Sequence, residues 1–92
     1  MANHKSALKR AKQSEIRRVR NRSRKTRMKT AIKALEEALK AQSLELAEQR
    51  FREASSIIAK TASKGTIHKN TASRKISRLA RKVNALKAAQ SA

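Results

Sequence analysis

The chain contains no proline and a single glycine, Gly65. These two residue types are the strongest local breakers of regular structure, so their scarcity makes long, uninterrupted helices the reading that costs least. Ala, Lys, Arg, Leu and Glu dominate, and all are good helix formers. The expected helices run from Ser6 to Lys40, from Leu44 to Ser63 and from Lys69 to Ala88. The Ser43 hydroxyl is expected to cap the second helix, with Glu45 and Glu48 near the positive end of its dipole. Gly65 is expected to end that helix in a left-handed conformation, and Asn70 to cap the third.

Helical phase, at about 100° per residue, gives each helix one apolar stripe. The stripes are Leu44, Ala47, Phe51, Ala54, Ile58 and Ala62 in the second helix, and Ala72, Ile76, Leu79, Val83 and Leu86 in the third. Met28, Ile32, Leu35 and Leu39 form another late in the first. Alternating three–four spacing suits coiled-coil-like packing, so the expected fold is all-α, a small three-helix antiparallel bundle. The early part of the first helix departs from this pattern. Its uncharged strip, Ile16, Val19, Ser23 and Thr26, lies roughly opposite the later stripe, and one straight helix cannot pack both on one partner. The N-terminal helix is therefore expected to project as a basic arm. The 92 residues form one domain, with 1–30 as the arm and 31–92 as the bundle.

Charge divides the same chain in three. Residues 1–33 hold thirteen cations and one acid, residues 34–59 three cations and five acids, and residues 60–92 nine cations and no acid. The net charge of +19 asks for a polyanion, and the two basic ends, side by side in a helical hairpin, can face one ligand. The middle third reads as ordinary solvated helix, with Glu36→Lys40 and Glu48→Arg52 at pairing distance. So much self-repulsion is expected to leave the arm loose until phosphates order it.

The densest run, "RRVRNRSRKTRMK", gives Arg17, Arg18, Arg20, Arg22, Arg24, Lys25 and Arg27 as candidate nucleic-acid contacts. Arginine predominates, and its planar fork grips phosphate bidentately or stacks on a base. A solvated face normally mixes signs, and this one does not. The third helix adds Arg74, Arg78 and Arg81 on the face away from its apolar stripe, with Lys75 and Lys82 beside them and Ser73, Ser77 and Asn84 as polar partners. For His68, Lys69 and Asn70 physics leaves two readings open, a plain turn or a phosphate contact at a helix N-terminus. Phe51 is the only aromatic and falls on a core stripe, so stacking on single strands is disfavoured relative to reading structured RNA or duplex by phosphates and shape.

Other chemistries lack their residues. There is no cysteine, and the acid nearest His68 in sequence is Glu53, so neither a thiol nor a histidine triad is indicated. His4 and His68 make at most half a metal site, and no metal, cofactor or small-molecule substrate is expected. No run approaches the roughly 18 apolar residues of a membrane span. The start, "MANHKSALKRAKQS", lacks an apolar core and reads as mature protein rather than a secretory signal. A histone-like DNA compactor is the main alternative partner class. The absence of proline and the placing of cations on helical faces argue against it. A membrane-active cationic helix would need a wide apolar face, which residues 6–29 lack.

Two segments carry a family pattern, "ANxKSAxKR" at Ala2–Arg10 and "GxIHKNxAxRxxSRLxxxxN" at Gly65–Asn84. On these the chain resembles the bacterial small-subunit ribosomal protein S20 family over nearly its whole length. The resemblance implies a three-helix structural protein with a long first helix and no catalysis, in the cytoplasmic ribosome of a bacterium. It implies early, direct binding to 16S ribosomal RNA, at the 5′ domain and the penultimate stem, beside other 30S components. By matching motif it also implies RNA contacts at Asn3, Lys5, Ser6, Lys9 and Arg10, and at His68, Lys69, Asn70, Arg74, Ser77 and Arg78.

Overall fold

The computed structural model describes residues 2–91, and side-chain surroundings for residues 5–91. It consists of α1 (Ala2–Lys40), α2 (Leu44–Ser63) and α3 (Lys69–Ser91), with no strand among the described residues. The chain is all-α, with a long first helix. Bounds for α2 agree with the sequence reading, while α1 begins four residues earlier than Ser6 and α3 ends three residues later than Ala88. Nothing in "ANHK" or "AQS" forbids helix, so neither end stops at the last strongly patterned residue.

The helix ends depend on two left-handed residues. Gly65 (φ 79°) follows the C-cap Lys64. Its N–H donates to Ala62 O (2.9 Å) and that of Thr66 to Thr61 O (3.2 Å), a Schellman motif. The α1 end repeats the motif without a glycine. Gln42 (φ 57°) donates to Leu39 O at 3.1 Å, and Ser43 to Ala38 O at 3.3 Å. A left-handed non-glycine residue costs roughly 1–2 kcal/mol. An opposing gain comes from α3, where Gln90 Nε2 donates to the Gln42 carbonyl at 2.6 Å.

Two capping expectations need correction. Ser43 is the N-cap of α2, with its carbonyl accepting from Ala47 N–H at 2.8 Å, but its hydroxyl makes no cap bond. Its backbone alone joins the two helices, closing α1 through its N–H and opening α2 through its C=O. The cap of α3 is His68 rather than Asn70. Asn70 N–H donates to His68 Nδ1 (3.1 Å) and Ala72 N–H to the His68 carbonyl (3.1 Å), so Asn70 already lies in the first turn.

The core is thin and drawn from all three helices. Leu35 and Ile58 are fully enclosed, with Met28, Ala38, Ala47, Ala72, Leu79 and Val83 around them, and Ile32, Leu39, Phe51, Ile76 and Leu86 pack on its flanks. The alanines let helices approach closely in place of large side chains. Thr61, absent from the expected stripe, is buried and donates its hydroxyl to Ile57 O at 2.7 Å. α2 lies between the other two and antiparallel to them, while α1 and α3 meet along a shorter stretch. Neither expected pair, Glu36→Lys40 or Glu48→Arg52, is among the ion pairs of the described residues. Glu36 faces Lys82 of α3 at 3.7 Å, and Arg50 pairs with Glu53 at 3.0 Å. Such exposed helix pairs stabilise by only about 0.2–0.5 kcal/mol, so a competing partner readily displaces one.

Beyond the bundle α1 continues alone. Residues 5–20 are all exposed, and Leu8, Ile16 and Val19 are 59 %, 41 % and 58 % accessible. Among residues 5–91, Asn21 is the first partly covered residue and Met28 the first buried one. The projection gives the molecule its 72 Å length against 22 and 13 Å across.

Candidate nucleic-acid interface

The α2–α3 turn lies at the end of the bundle from which the arm leaves. Thr66 Oγ1 donates to Asn21 Oδ1 at 3.0 Å, and Arg24 Nη1 reaches the same oxygen at 3.4 Å. Around this link the chain forms a cleft lined by Arg17, Arg20, Asn21, Arg24, Lys64 and Gly65. Three cations come from α1 and one from the end of α2, and no carboxylate lines the cleft. Among the described residues none of these four cations is in an ion pair.

A second concavity lies on α3 and is lined by Ser73, Arg74, Ser77, Arg78 and Arg81. These residues recur at three–four spacing, so their side chains share one face, opposite buried Ala72, Leu79 and Val83. The structure thus gathers three arginines and two hydroxyls on a surface without acids. Between the two concavities, His68 and Lys69 line a shallow surface with Gly65, Thr66 and Ile67. His68 Nδ1 accepts the Asn70 amide, which puts the imidazole proton on Nε2, the nitrogen not used by the cap. The residue is exposed, so the same imidazole can cap the helix and donate outward.

The remaining candidates are more dispersed. Lys5, Ser6, Lys9 and Arg10 lie along the exposed arm, and Arg18, Arg22, Lys25 and Arg27 are exposed outside the cleft lining. Arg18 is held by Glu15 at 2.8 Å in a pair 67 % and 58 % exposed, which solvent screens to little net strength. Lys75 is half-buried, and Lys82 is turned toward Glu36. Asn3 belongs to α1, but its side chain lies outside the described residues, as does that of His4.

Sequence reasoning missed Asn21, Lys64 and Thr66, although a signal for Asn21 was present. Continuing the Leu35 and Met28 stripe N-terminally at three–four steps reaches Arg24, Asn21 and Arg17. The inner face of α1 therefore changes from apolar to basic where the bundle ends. Following the uncharged strip through Ile16 and Val19 leads away from that face.

Among the described residues no cluster of His, Asp or Glu could hold a metal, and no helix is long and apolar enough to cross a membrane.

Comparison with known proteins is consistent along the chain. The family model described as "Ribosomal protein S20" matches residues 2–84. The small ribosomal subunit protein bS20 of Syntrophobacter fumaroxidans is 64 % identical over 86 residues, covering 94 % of this chain and all of the relative. That of Desulfatibacillum aliphaticivorans is 63 % identical over 86 residues, covering 94 % and 98 %. That of Geobacillus thermodenitrificans is 53 % identical over 88 residues, covering 96 % and 99 %.

Proposed function

The chain belongs to the ribosomal protein S20 family, and from that premise we propose that it binds 16S ribosomal RNA directly and holds two RNA segments together during small-subunit assembly. Membership makes it a structural protein of the small ribosomal subunit rather than an enzyme. Its place is then the cytoplasmic ribosome of a bacterium, among other 30S components. The finer reading assigns one RNA segment to the arm and the other to the α3 face. Family resemblance suggests the 5′ domain and the penultimate stem for the two. Neutralising phosphates supplies affinity, while the bundle fixes the angle between the two surfaces.

One observation carries this reading. Residues 5–20 stand clear of the bundle as a basic helix, with no partner of their own among the described residues. Like charges along one helix repel, so such an element gains most of its stability from a polyanion. The rRNA contacts proposed at Lys5, Ser6, Lys9, Arg10, Arg17, Arg18, Arg20, Arg22, Arg24, Lys25 and Arg27 all follow from that arm. Those at His68, Lys69, Asn70, Arg74, Lys75, Ser77, Arg78, Arg81 and Lys82 follow from the turn and α3.

The test compares folded 16S rRNA, unrelated structured RNA and duplex DNA of equal length across a salt series. Preferential binding to 16S rRNA at physiological salt is expected. Equal affinity for all three would overturn the specific reading and leave a generic polyanion binder.

A further inference from the structure

α1 carries arginines on the face where a packed helix carries apolar side chains. Leu35 and Met28 occupy that face within the bundle, 0 % and 4 % exposed. One to three turns upstream the same face presents Arg24, Asn21 and Arg17, and Lys64 approaches from the opposite wall. Convergence of like charges on one cleft is unfavourable unless an anion enters it.

A helix C-terminus ordinarily repels anions, because its last carbonyls carry partial negative charge. At the end of α2 three of the last four carbonyls are occupied. Lys60 O accepts from Lys64 N–H, Thr61 O from Thr66 N–H and Ala62 O from Gly65 N–H. Gly65 holds φ 79°, and a Cβ there would meet nothing within 4 Å, so its backbone borders open space. Asn21 commits its carbonyl oxygen to Thr66 and Arg24, which leaves its NH2 group as the part available to a ligand. The side chains lining the cleft therefore offer donors.

We propose that this cleft is a discrete clamp for a bend in RNA backbone, gripping adjacent phosphates between the base of the arm and the α2–α3 turn. The proposal rests on the rRNA-binding reading above and adds to it a location and a cooperative grip. Arg17 to Arg24 spans about 10 Å along the helix axis, enough to engage more than one phosphate. The clamp also sets the direction of the arm. Phosphate held by Arg24 on one wall and Lys64 on the other ties α1 to the turn, as the Asn21–Thr66 bond does on a smaller scale.

The test is a double-mutant cycle on 16S rRNA affinity with full-length Arg24→Gln, Lys64→Gln and the double variant. The same cycle on Lys9→Gln and Lys64→Gln serves as a distant control. Unchanged helicity and urea midpoints establish that each variant folds, and Arg24→Ala and Lys64→Ala, which also remove the charge, serve as alternatives if the glutamine forms do not. A shared clamp gives a departure of about threefold or more from the product of the single effects for Arg24 with Lys64, and none for the control pair. Multiplicative losses in both cycles would overturn the clamp while leaving rRNA binding intact. Failure of the unaltered chain to bind 16S rRNA would overturn both readings.

Discussion

Thr66 Oγ1 donates to Asn21 Oδ1 across 3.0 Å, joining residues 45 positions apart and fixing the base of the basic arm to the α2–α3 turn. The bond is partly buried and lies where side-chain packing gives way to solvent on α1. Asn21→Ala is expected to cost about 1 kcal/mol, the usual net value of one such hydrogen bond. Thr66→Val should cost a similar amount alone and little more in the Asn21→Ala background. Urea denaturation of the two single variants and the double variant measures this. Fully additive losses would show that the two residues stabilise the chain separately.

His68 caps α3 through Nδ1, so its two roles can be separated by substitution. His68→Ala should destabilise the chain by about 1 kcal/mol, whereas His68→Asn supplies a strong N-cap and should keep most of that stability. Thermal melts test the cap. If the imidazole also donates to RNA, His68→Asn remains as stable as the parent yet loses rRNA affinity. Equal stability of the Ala and parent chains would refute the capping role.

Ser55 on α2 has a buried hydroxyl without a partner among the described residues. Replacing an unsatisfied polar group with an apolar one removes a desolvation penalty, and alanine is the better helix former. Ser55→Ala is therefore expected to leave the chain as stable or raise stability by up to about 1 kcal/mol. Leu35→Ala at the fully enclosed core position should lose about 2–5 kcal/mol. The urea midpoints of the two variants should move in opposite directions or only that of Leu35→Ala should move. A destabilised Ser55→Ala would mean that its hydroxyl has a partner in solution.

Residues 5–20 of the arm pack against nothing among the described residues, and their stability as a helix is set by sequence and ligand. Lys5–Lys9, Arg18–Arg22 and Arg20–Arg24 are like-charge pairs at i,i+4, each opposing helix by about 0.2–0.5 kcal/mol. Backbone amides of residues 5–20 should exchange with little protection in the unliganded chain and slow on binding 16S rRNA. Hydrogen exchange resolved by residue reads this directly. Equal protection with and without RNA would contradict ordering on contact.

The helices were legible because their stripes are regular. Met28 and Leu35 in α1, Ala47, Ala54 and Ile58 in α2, and Leu79 and Val83 in α3 follow one helical period and are buried together. Gly65 was legible as a stop because glycine favours positive φ. Gln42 was not, since no propensity marks glutamine for the left-handed region, and the Gln90 contact that accompanies it comes from a residue 48 positions away. His68 was hidden for a similar reason: Asn70 is the stronger capping type, but the turn places His68 one residue before α3. The basic arm and the α3 face followed from charge and phase. The cleft between them did not, because Lys64 and Thr66 reach Asn21 and Arg17 only through the antiparallel return of α2.

In the proposed function two basic surfaces, the arm and the α3 face, neutralise phosphates of the same RNA. The dependence of 16S rRNA affinity on salt tests it most directly. The chain would be compared with an arm variant (Lys9→Gln, Arg10→Gln, Arg18→Gln) and an α3 variant (Arg74→Gln, Arg78→Gln, Arg81→Gln). Each phosphate contact removed should make the slope of log K against log salt shallower by about one unit. Both variants are expected to lose up to about three units, with helicity unchanged. A slope that stays the same when either surface is neutralised would contradict the two-surface account.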